Sequence, residues 1–217
     1  MSKSKPVIQT HYEVEIRCHF KTAAAACKSI PFLLSCLQHK MVWSSKIYGL
    51  ELFRSGQLLR MSKTTIDGSE PKYYLGWKGS DSGKFANIRE EIDEVITEGI
   101  KDSRILQKLG AGKSFVERKK ISRELNLLGH RRFMFFRGYD RFGYYRPLDV
   151  SLKLMHCSTL MWLDLLEIEK TANTREEALI MEADLREFAD RFGLQGCLVR
   201  EEPPTLLYAA RFPAGTR

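Results

Sequence analysis

Glu13-Val14-Glu15-Ile16-Arg17 lies in a short run, His11–Phe20, in which polar and apolar residues alternate. Strand side chains alternate between faces, so Glu13, Glu15 and Arg17 share one face and Tyr12, Val14, Ile16 and Cys18 the other. Two carboxylates and a guanidinium spaced by twos make a row of fixed charge. Carboxylate oxygens suit hard cations such as Mg²⁺ or Mn²⁺, and arginine bonds phosphate through two parallel N–H groups. The row has the chemistry to hold a divalent cation beside a phosphate. A half-exposed strand with its charges in water reads the same way, so the meaning depends on whether the chain repeats the pattern.

It does. Leu166-Glu167-Ile168-Glu169-Lys170 again puts two carboxylates on one face, with Ile168 pointing away. Further strands are expected over Val42–Phe53, Gln57–Thr65, Lys72–Gly79, Phe85–Val95, Arg131–Arg137, Asp149–Cys157 and Leu163–Thr171. Turn residues cluster at 54–57, 67–71, 80–83 and 138–143. Single basic residues fall on the polar faces: Arg60, Lys78, Arg89 and one of Arg131 and Arg132. If these strands close into a barrel, the charged faces all point inward. Small barrels normally fill with apolar side chains, and a charged interior requires a charged ligand with metal to balance it. The chemistry implied is polyphosphate binding with a divalent cation.

Helices account for the rest. Lys21–Gln38 is Ala-rich and then carries Ile30, Leu33, Leu34 and Leu37, with Pro31 able to split it. From about Ile96 the period predicts a helix through Leu109, and Ser114 suits the N-cap of another running to Leu128. Thr174, followed by Glu176 and Glu177, opens the clearest helix, Glu176–Phe192, which Gly193 ends. The proline-bearing tail reads as a loop with at most one short strand at Leu206–Ala210.

Composition bounds the function. The 217 residues are 43% hydrophobic and 29% charged, as in a globular protein with a sizeable core. The net charge of +8 is spread along the chain and favours a polyanionic partner. Five cysteines without a CxxC pair argue against a disulfide framework or a zinc site. No signal peptide or membrane span is evident, and a cytoplasmic protein is expected. Gly110-Ala111-Gly112-Lys113-Ser114 ends like a phosphate-binding loop but lacks the full spacing, and reads as an interhelical turn. Phe133, Phe135, Phe136, Tyr139, Phe142, Tyr144 and Tyr145, mixed with Arg137, Arg141 and Arg146, could stack on bases. A hairpin packed on a barrel wall explains them equally and is the preferred reading.

In this order the motifs resemble the CYTH domain family, the triphosphate tunnel metalloenzymes. That family includes thiamine triphosphatases, inorganic triphosphatases, class IV adenylate cyclases and, more distantly, RNA triphosphatases of mRNA capping. Its Glu-x-Glu-x-Lys opening is similar to Glu13-Val14-Glu15-Ile16-Arg17. Its Leu-Arg-Ile-Arg, Leu-Lys-Gly and Arg-x-Glu strands resemble Leu59-Arg60-Met61-Ser62, Trp77-Lys78-Gly79 and Arg89-Glu90-Glu91. Its Lys-x-Arg and Glu-Ile-Glu strands resemble Arg131-Arg132-Phe133 and Glu167-Ile168-Glu169. The resemblance implies an α+β fold, an antiparallel barrel of about eight strands with helices outside. It also implies one domain over residues 1–217, with a core of roughly 10–192 and a short tail.

The resemblance implies roles as well. Glu13, Glu15, Glu167 and Glu169 would bind Mg²⁺ or Mn²⁺. Arg17, Arg60, Lys78, Arg89 and Arg132 would clamp a triphosphate. Glu91 would orient a basic neighbour or a metal-bound water, and with Arg17 it is the catalytic assignment. The expected activity is metal-dependent hydrolysis of an inorganic or small organic triphosphate. An adenylate cyclase and a non-catalytic nucleotide- or polyphosphate-binding module are the alternatives. The partner is a triphosphate-bearing small molecule, with an RNA 5′ end second, and no membrane. Oligomeric state is not legible. Two departures stand out. Arg17 replaces a lysine, and the acidic residue expected before Glu-Ile-Glu is missing, its place taken by Lys153, His156 or Cys157, with Asp149 the nearest carboxylate.

Overall fold

The computed structural model describes residues 9–157 and 164–212. The charged rows do lie on strands. Those strands are β1 (Gln9–Phe20), β2 (His39–Tyr48), β3 (Leu58–Ile66), β4 (Lys72–Lys78) and β5 (Asn87–Ile96). A small hairpin, β6 (Gly99–Lys101) with β7 (Phe115–Glu117), stands apart. Then come β8 (Arg132–Tyr145), β9 (Val150–Cys157), β10 (Asp164–Ala172) and the short β11 (Leu198–Val199). The order β10-β9-β8-β2-β3-β4-β5-β1 closes through antiparallel pairing of β1 with β10, giving an eight-stranded barrel, and β11 adds to β1. The fold is α+β, with helices outside.

Alternation decides what each face does. Val14, Ile16 and Cys18 of β1, with Leu166 and Ile168 of β10 and Leu152 of β9, point out of the barrel. Three helices cover them: α1 (Ala23–Ser29), α2 (Leu33–Cys36) and α6 (Arg175–Arg191), through Ala26, Leu33, Leu185 and Phe188. Pro31 separates α1 from α2, as expected from its lack of an N–H. Thr174 and Glu177 form a reciprocal capping box at the start of α6. A second outer layer covers β3–β5. There α4 (Arg104–Lys108) and α5 (Ile121–Leu127) set Ile105, Ile121 and Leu125 on Leu59, Leu75, Trp77 and Ile92.

Four expected elements differ. The helix foreseen from Ile96 begins as strand β6 and becomes α4 only after Ser103, whose hydroxyl caps Leu106. Ser114 precedes β7 and caps no helix; α5 starts at Ile121, and residues 110–114 link α4 to β7. β2 stops at Tyr48, because Gly49 takes φ +72° and turns the chain into α3 (Leu50–Arg54). The turn expected at 138–143 is uninterrupted strand β8. Its glycines permit close approach: a Cβ on Gly138 would lie 2.7 Å from the Trp43 ring, and one on Gly143 would strike the Cys36 carbonyl.

The tail is also helical. α7 (Pro203–Arg211) starts with two prolines, which lose nothing in a first turn that has no intrahelical N–H bonds to make. Leu207 of α7 enters one end of the barrel and packs on the inward residues Ile47, Leu58, Met134 and Phe136. That end is therefore apolar and filled, and the charged residues lie above it. Among the described residues no helix is long and apolar enough to cross a membrane.

Candidate functional site

Inside the barrel is a cavity of about 270 Å³. Glu13, Arg17, Arg60, Lys78 and Glu167 line it, as the alternation predicts. Beside them stand Asp93, Asp140, Lys153 and Glu202. Met41, Trp43, Phe136 and Met155 add apolar and aromatic surface to the lining. The chamber is thus lined by charged and by apolar, partly aromatic side chains. Gly76 makes room for two of the charged ones: a Cβ there would sit 2.6 Å from Asp93 Oδ1 and 3.0 Å from Arg60 Nε.

Arg17 is the hub. Its side chain is 2% exposed. It bonds Glu15, donates Nε–H to Glu167 Oε1 at 3.0 Å and stands 3.6 Å from Glu202. Burial works against its charge, but these three carboxylates outweigh that and hold it protonated beyond the usual arginine value. Its Nη1 has no hydrogen-bond partner, so one buried donor remains for a ligand. Lys78 bonds Glu13 and lies 3.7 Å from Glu91. Glu91 accepts from Arg60 Nη2 at 2.9 Å and stands 3.7 Å from His11 Nε2. Against its burial, Lys78, His11 and Arg60 draw the Glu91 carboxyl below its ordinary range. Arg89 reaches Glu202 at 3.1 Å and donates to the carbonyls of Gly56 and Gly79.

Lys153 faces inward on β9 directly opposite Glu167 and donates to its Oε2 at 2.6 Å. Both oxygens of Glu167 are therefore held, one by Arg17 and one by Lys153, which overcome burial and depress its pKa strongly. Glu15 and Glu169 are direct neighbours across β1 and β10. Burial raises both, with Glu13 and Glu167 adding, Glu169 to about 7. A further cation in this corner would relieve the repulsion among these carboxylates.

Arg132 is not in the chamber. Ile47 pairs with Met134 but Tyr48 with Arg132, so Phe133 is an extra residue in β8. The bulge turns Phe133 onto Phe53 and Tyr208 at the barrel end and leaves Arg132 exposed in an outer groove with Lys46 and Arg131. A single strand parity for this segment could not reveal that. Asp149, weighed as the missing acid, has φ +51° at the foot of β9 and bonds Tyr144.

The acid in that region is Asp140, hidden in what read as a turn. It is 1% exposed and accepts from Trp43 Nε1 at 2.7 Å. Burial pushes its carboxyl up to about 6, with Glu167 adding to the rise and Lys153 and the Trp43 N–H opposing it. The unfolded chain ionises this group near 4. Ionising it inside the fold therefore costs stability once the pH passes about 4, in full above about 6. Asp140→Asn still accepts from Trp43. It is expected to gain on the order of 2–3 kcal/mol at pH 8 and almost nothing at pH 4, as read by denaturant unfolding. Equal gains at the two pH values contradict this assignment.

The charge balance of the chamber bears on whether it can hold a divalent cation. Glu13, Glu15, Glu91, Asp93, Asp140, Glu167, Glu169 and Glu202 face only Arg17, Arg60, Lys78, Arg89 and Lys153 as permanent cations. Carboxylates exceed cations, and the oxygens not engaged by a side-chain cation include those of Glu13, Glu15, Asp140 and Glu169. Hard oxygen donors in surplus fit Mg²⁺ or Mn²⁺. Among the described residues no three acidic, histidine or cysteine side chains already converge on one point, because Arg17, Lys78 and Lys153 lie between them.

No family model matches this sequence, and no curated protein matches it significantly. Solved structures do resemble it. The PH1819 protein of Pyrococcus horikoshii OT3 superposes with a TM-score of 0.71 at 16% identity, over 92% of this chain and 99% of that one. HpAC1 from Hippeastrum, an adenylyl cyclase candidate described as having a dominant triphosphatase activity, gives 0.57 at 14% identity over 92% and 96%. An adenylate cyclase candidate from Vibrio parahaemolyticus gives 0.55 at 12% identity over 93% and 100%. The chain has the fold of these proteins, the barrel that the CYTH resemblance implies.

Proposed function

We propose that this CYTH-type barrel binds a triphosphate-bearing small molecule with Mg²⁺ or Mn²⁺ in its chamber and hydrolyses it. The observation that carries the reading is a set of cations facing one cavity, Arg17 and Lys78 buried and Arg60 and Lys153 half-buried, with an unpartnered Arg17 donor. Fixed cations in a site of low dielectric stabilise charge developing on phosphate oxygens without reorganising. Glu91 is a positioning residue, holding Arg60 and Lys78 toward the cavity. Glu13, Glu15 and Glu169 would hold the cation, which as a Lewis acid would polarise a phosphoryl oxygen. Phosphates and cation complement each other here: the phosphates take up the N–H donors, and the cation offsets the burial and mutual repulsion that raise Glu15 and Glu169. Met41, Trp43, Phe136 and Met155 offer an organic group an apolar wall, which favours a small organic triphosphate over the inorganic one. The neighbour with a dominant triphosphatase activity supports the reaction class.

A second reading, a binding module without turnover, is favoured by one observation: Arg17 and Lys153 occupy both oxygens of Glu167, removing a ligand from the cation. Phosphate and pyrophosphate release from tripolyphosphate, ATP and thiamine triphosphate separates the readings. Phosphate released with Mg²⁺ or Mn²⁺, absent in EDTA and reduced by about a hundredfold or more in Glu15→Gln, is the expected result. Pyrophosphate from ATP alone marks a cyclase. Absence of both products, with tripolyphosphate still protecting against thermal unfolding, marks a binding module.

A further inference from the structure

The excess positive charge of the chain, +8 overall, is not in the acid-rich chamber. It gathers on the outer wall formed by β3, β2 and β8. The outward positions there hold Lys63 on β3, Lys40 and Lys46 on β2, and Arg137 and Arg141 on β8, all exposed, with Arg132 beyond the bulge. Among the described residues no outward position of these three strands is acidic. Asp67, in the turn after β3, binds the His39 ring and the Lys40 backbone N–H.

The register makes this surface costly. Lys40 stands directly opposite Arg141, and Ser44 has Lys63 opposite on one side and Arg137 on the other. Like charges facing across strands destabilise a sheet, and the hydrogen bond from Arg141 to the Leu37 carbonyl gives no reason for Lys40 to stand opposite it. An anionic partner does. Alternate residues along a strand are about 7 Å apart, a spacing that lets successive cations meet successive phosphates of an extended chain. Apolar groups interrupt the cations: Phe135 and Tyr139 are each 41% exposed and Val42 is 51% exposed. These aromatics belong to β8, a strand of the barrel wall itself, rather than to a hairpin packed on that wall as the sequence suggested. Tyr139 carries Lys40 Nζ 5.2 Å from its ring centre and stacks on His156, while Phe135 presents its ring beside Lys46. Cations interleaved with exposed rings fit a polyanion that also bears flat apolar groups. The outside of a barrel is convex, so a flexible strand can follow it where a rigid duplex touches along a line.

We propose that the outer face of β3–β2–β8 binds single-stranded nucleic acid, with Lys40, Lys63, Arg137 and Arg141 on phosphates and Phe135 stacked on a base. The test is fluorescence anisotropy of a labelled oligouridine, and of a duplex of equal length, across a salt series. Lys40→Ala with Arg141→Ala is expected to weaken oligouridine binding by tenfold or more and lower the salt slope by about 1.4. The same double variant removes opposed like charges but also the Arg141 hydrogen bond to the Leu37 carbonyl, so its melting temperature is expected to stay within about 3 °C of the wild type. Phe135→Ala is expected to weaken oligouridine by about tenfold while leaving binding of heparin unchanged. Tripolyphosphate binding in the chamber should be unaffected by any of these changes. Three results would overturn the proposal: undiminished oligouridine binding by the double variant, preference for the duplex, or sedimentation with phosphatidylserine vesicles in the absence of oligouridine binding.

Discussion

Arg17→Met is expected to cost about 3–5 kcal/mol of stability and to abolish triphosphate binding. The guanidinium is buried and answers Glu15, Glu167 and Glu202 at once. Methionine fills much of the volume but leaves three buried carboxylates facing one another without their cation. Breaking a buried network by removing one partner is worse than never having built it, because the abandoned charges still bear their desolvation. For a chain of this length the loss corresponds to a melting temperature lower by roughly 6–20 °C. Two further variants separate charge from packing. Arg17→Lys keeps one positive charge but cannot reach all three acids, and should fall between. Arg17→Met with Glu167→Gln should recover part of the loss. The pH dependence has a definite sign. Arg17 and Lys153 depress Glu167, so the wild type gains from that group above its ordinary pKa and loses the gain as the pH falls through the depressed value. Arg17→Met has less to lose, so its stability should fall less steeply in acid.

Glu182→Ala is expected to cost about 2–4 kcal/mol from outside the chamber. Glu182 Oε1 accepts the backbone N–H groups of Lys84, Phe85 and Ala86 at 2.7, 2.6 and 3.0 Å. Alanine leaves three donors unpaired where the carboxylate is only 8% exposed. The same loop is gripped from its carbonyl side by Arg200, which donates to Lys84, Phe85 and Ala86 oxygens. That loop leads into β5, and β5 carries Arg89 and Glu91. The variant should therefore also bind triphosphate more weakly, through displacement of β5. Glu182→Gln keeps an acceptor oxygen and should lose roughly half as much. Chemical denaturation gives the stability and calorimetry the affinity. A full loss in Glu182→Gln would mean that charge, rather than the accepted hydrogen bonds, carries the effect.

The barrel was legible because its strands bury one face under helices and the other around charge. Strict alternation in His11–Phe20 and around Glu167-Ile168-Glu169 marks both faces, and the interior places of Arg60, Lys78 and Glu91 follow from the same period. Local propensity misled where tertiary contact decided. Gly138 and Gly143 read as a turn, yet they sit in β8 because Trp43 and Cys36 press on the backbone there. That misreading hid Asp140. Pro203 and Pro204 read as loop, though prolines at a helix start cost nothing, and so Glu202 and the apolar plug went unseen. Arg132 was misplaced by a one-residue bulge, which no periodicity can announce. Lys153 was read only as a departure from a pattern; its register opposite Glu167 makes it part of the chamber.

The most direct test of the central claim is calorimetric titration of tripolyphosphate into the wild type and Arg60→Met, with Mg²⁺ and with EDTA. Arg60 lines the chamber but is 30% exposed, so its replacement leaves the fold intact, which a thermal scan verifies. The account predicts one tripolyphosphate per chain, tightest with Mg²⁺, and an affinity lower by about tenfold or more in Arg60→Met. Equal affinities in the two proteins, or no binding by the wild type under either condition, would contradict a triphosphate site inside the barrel.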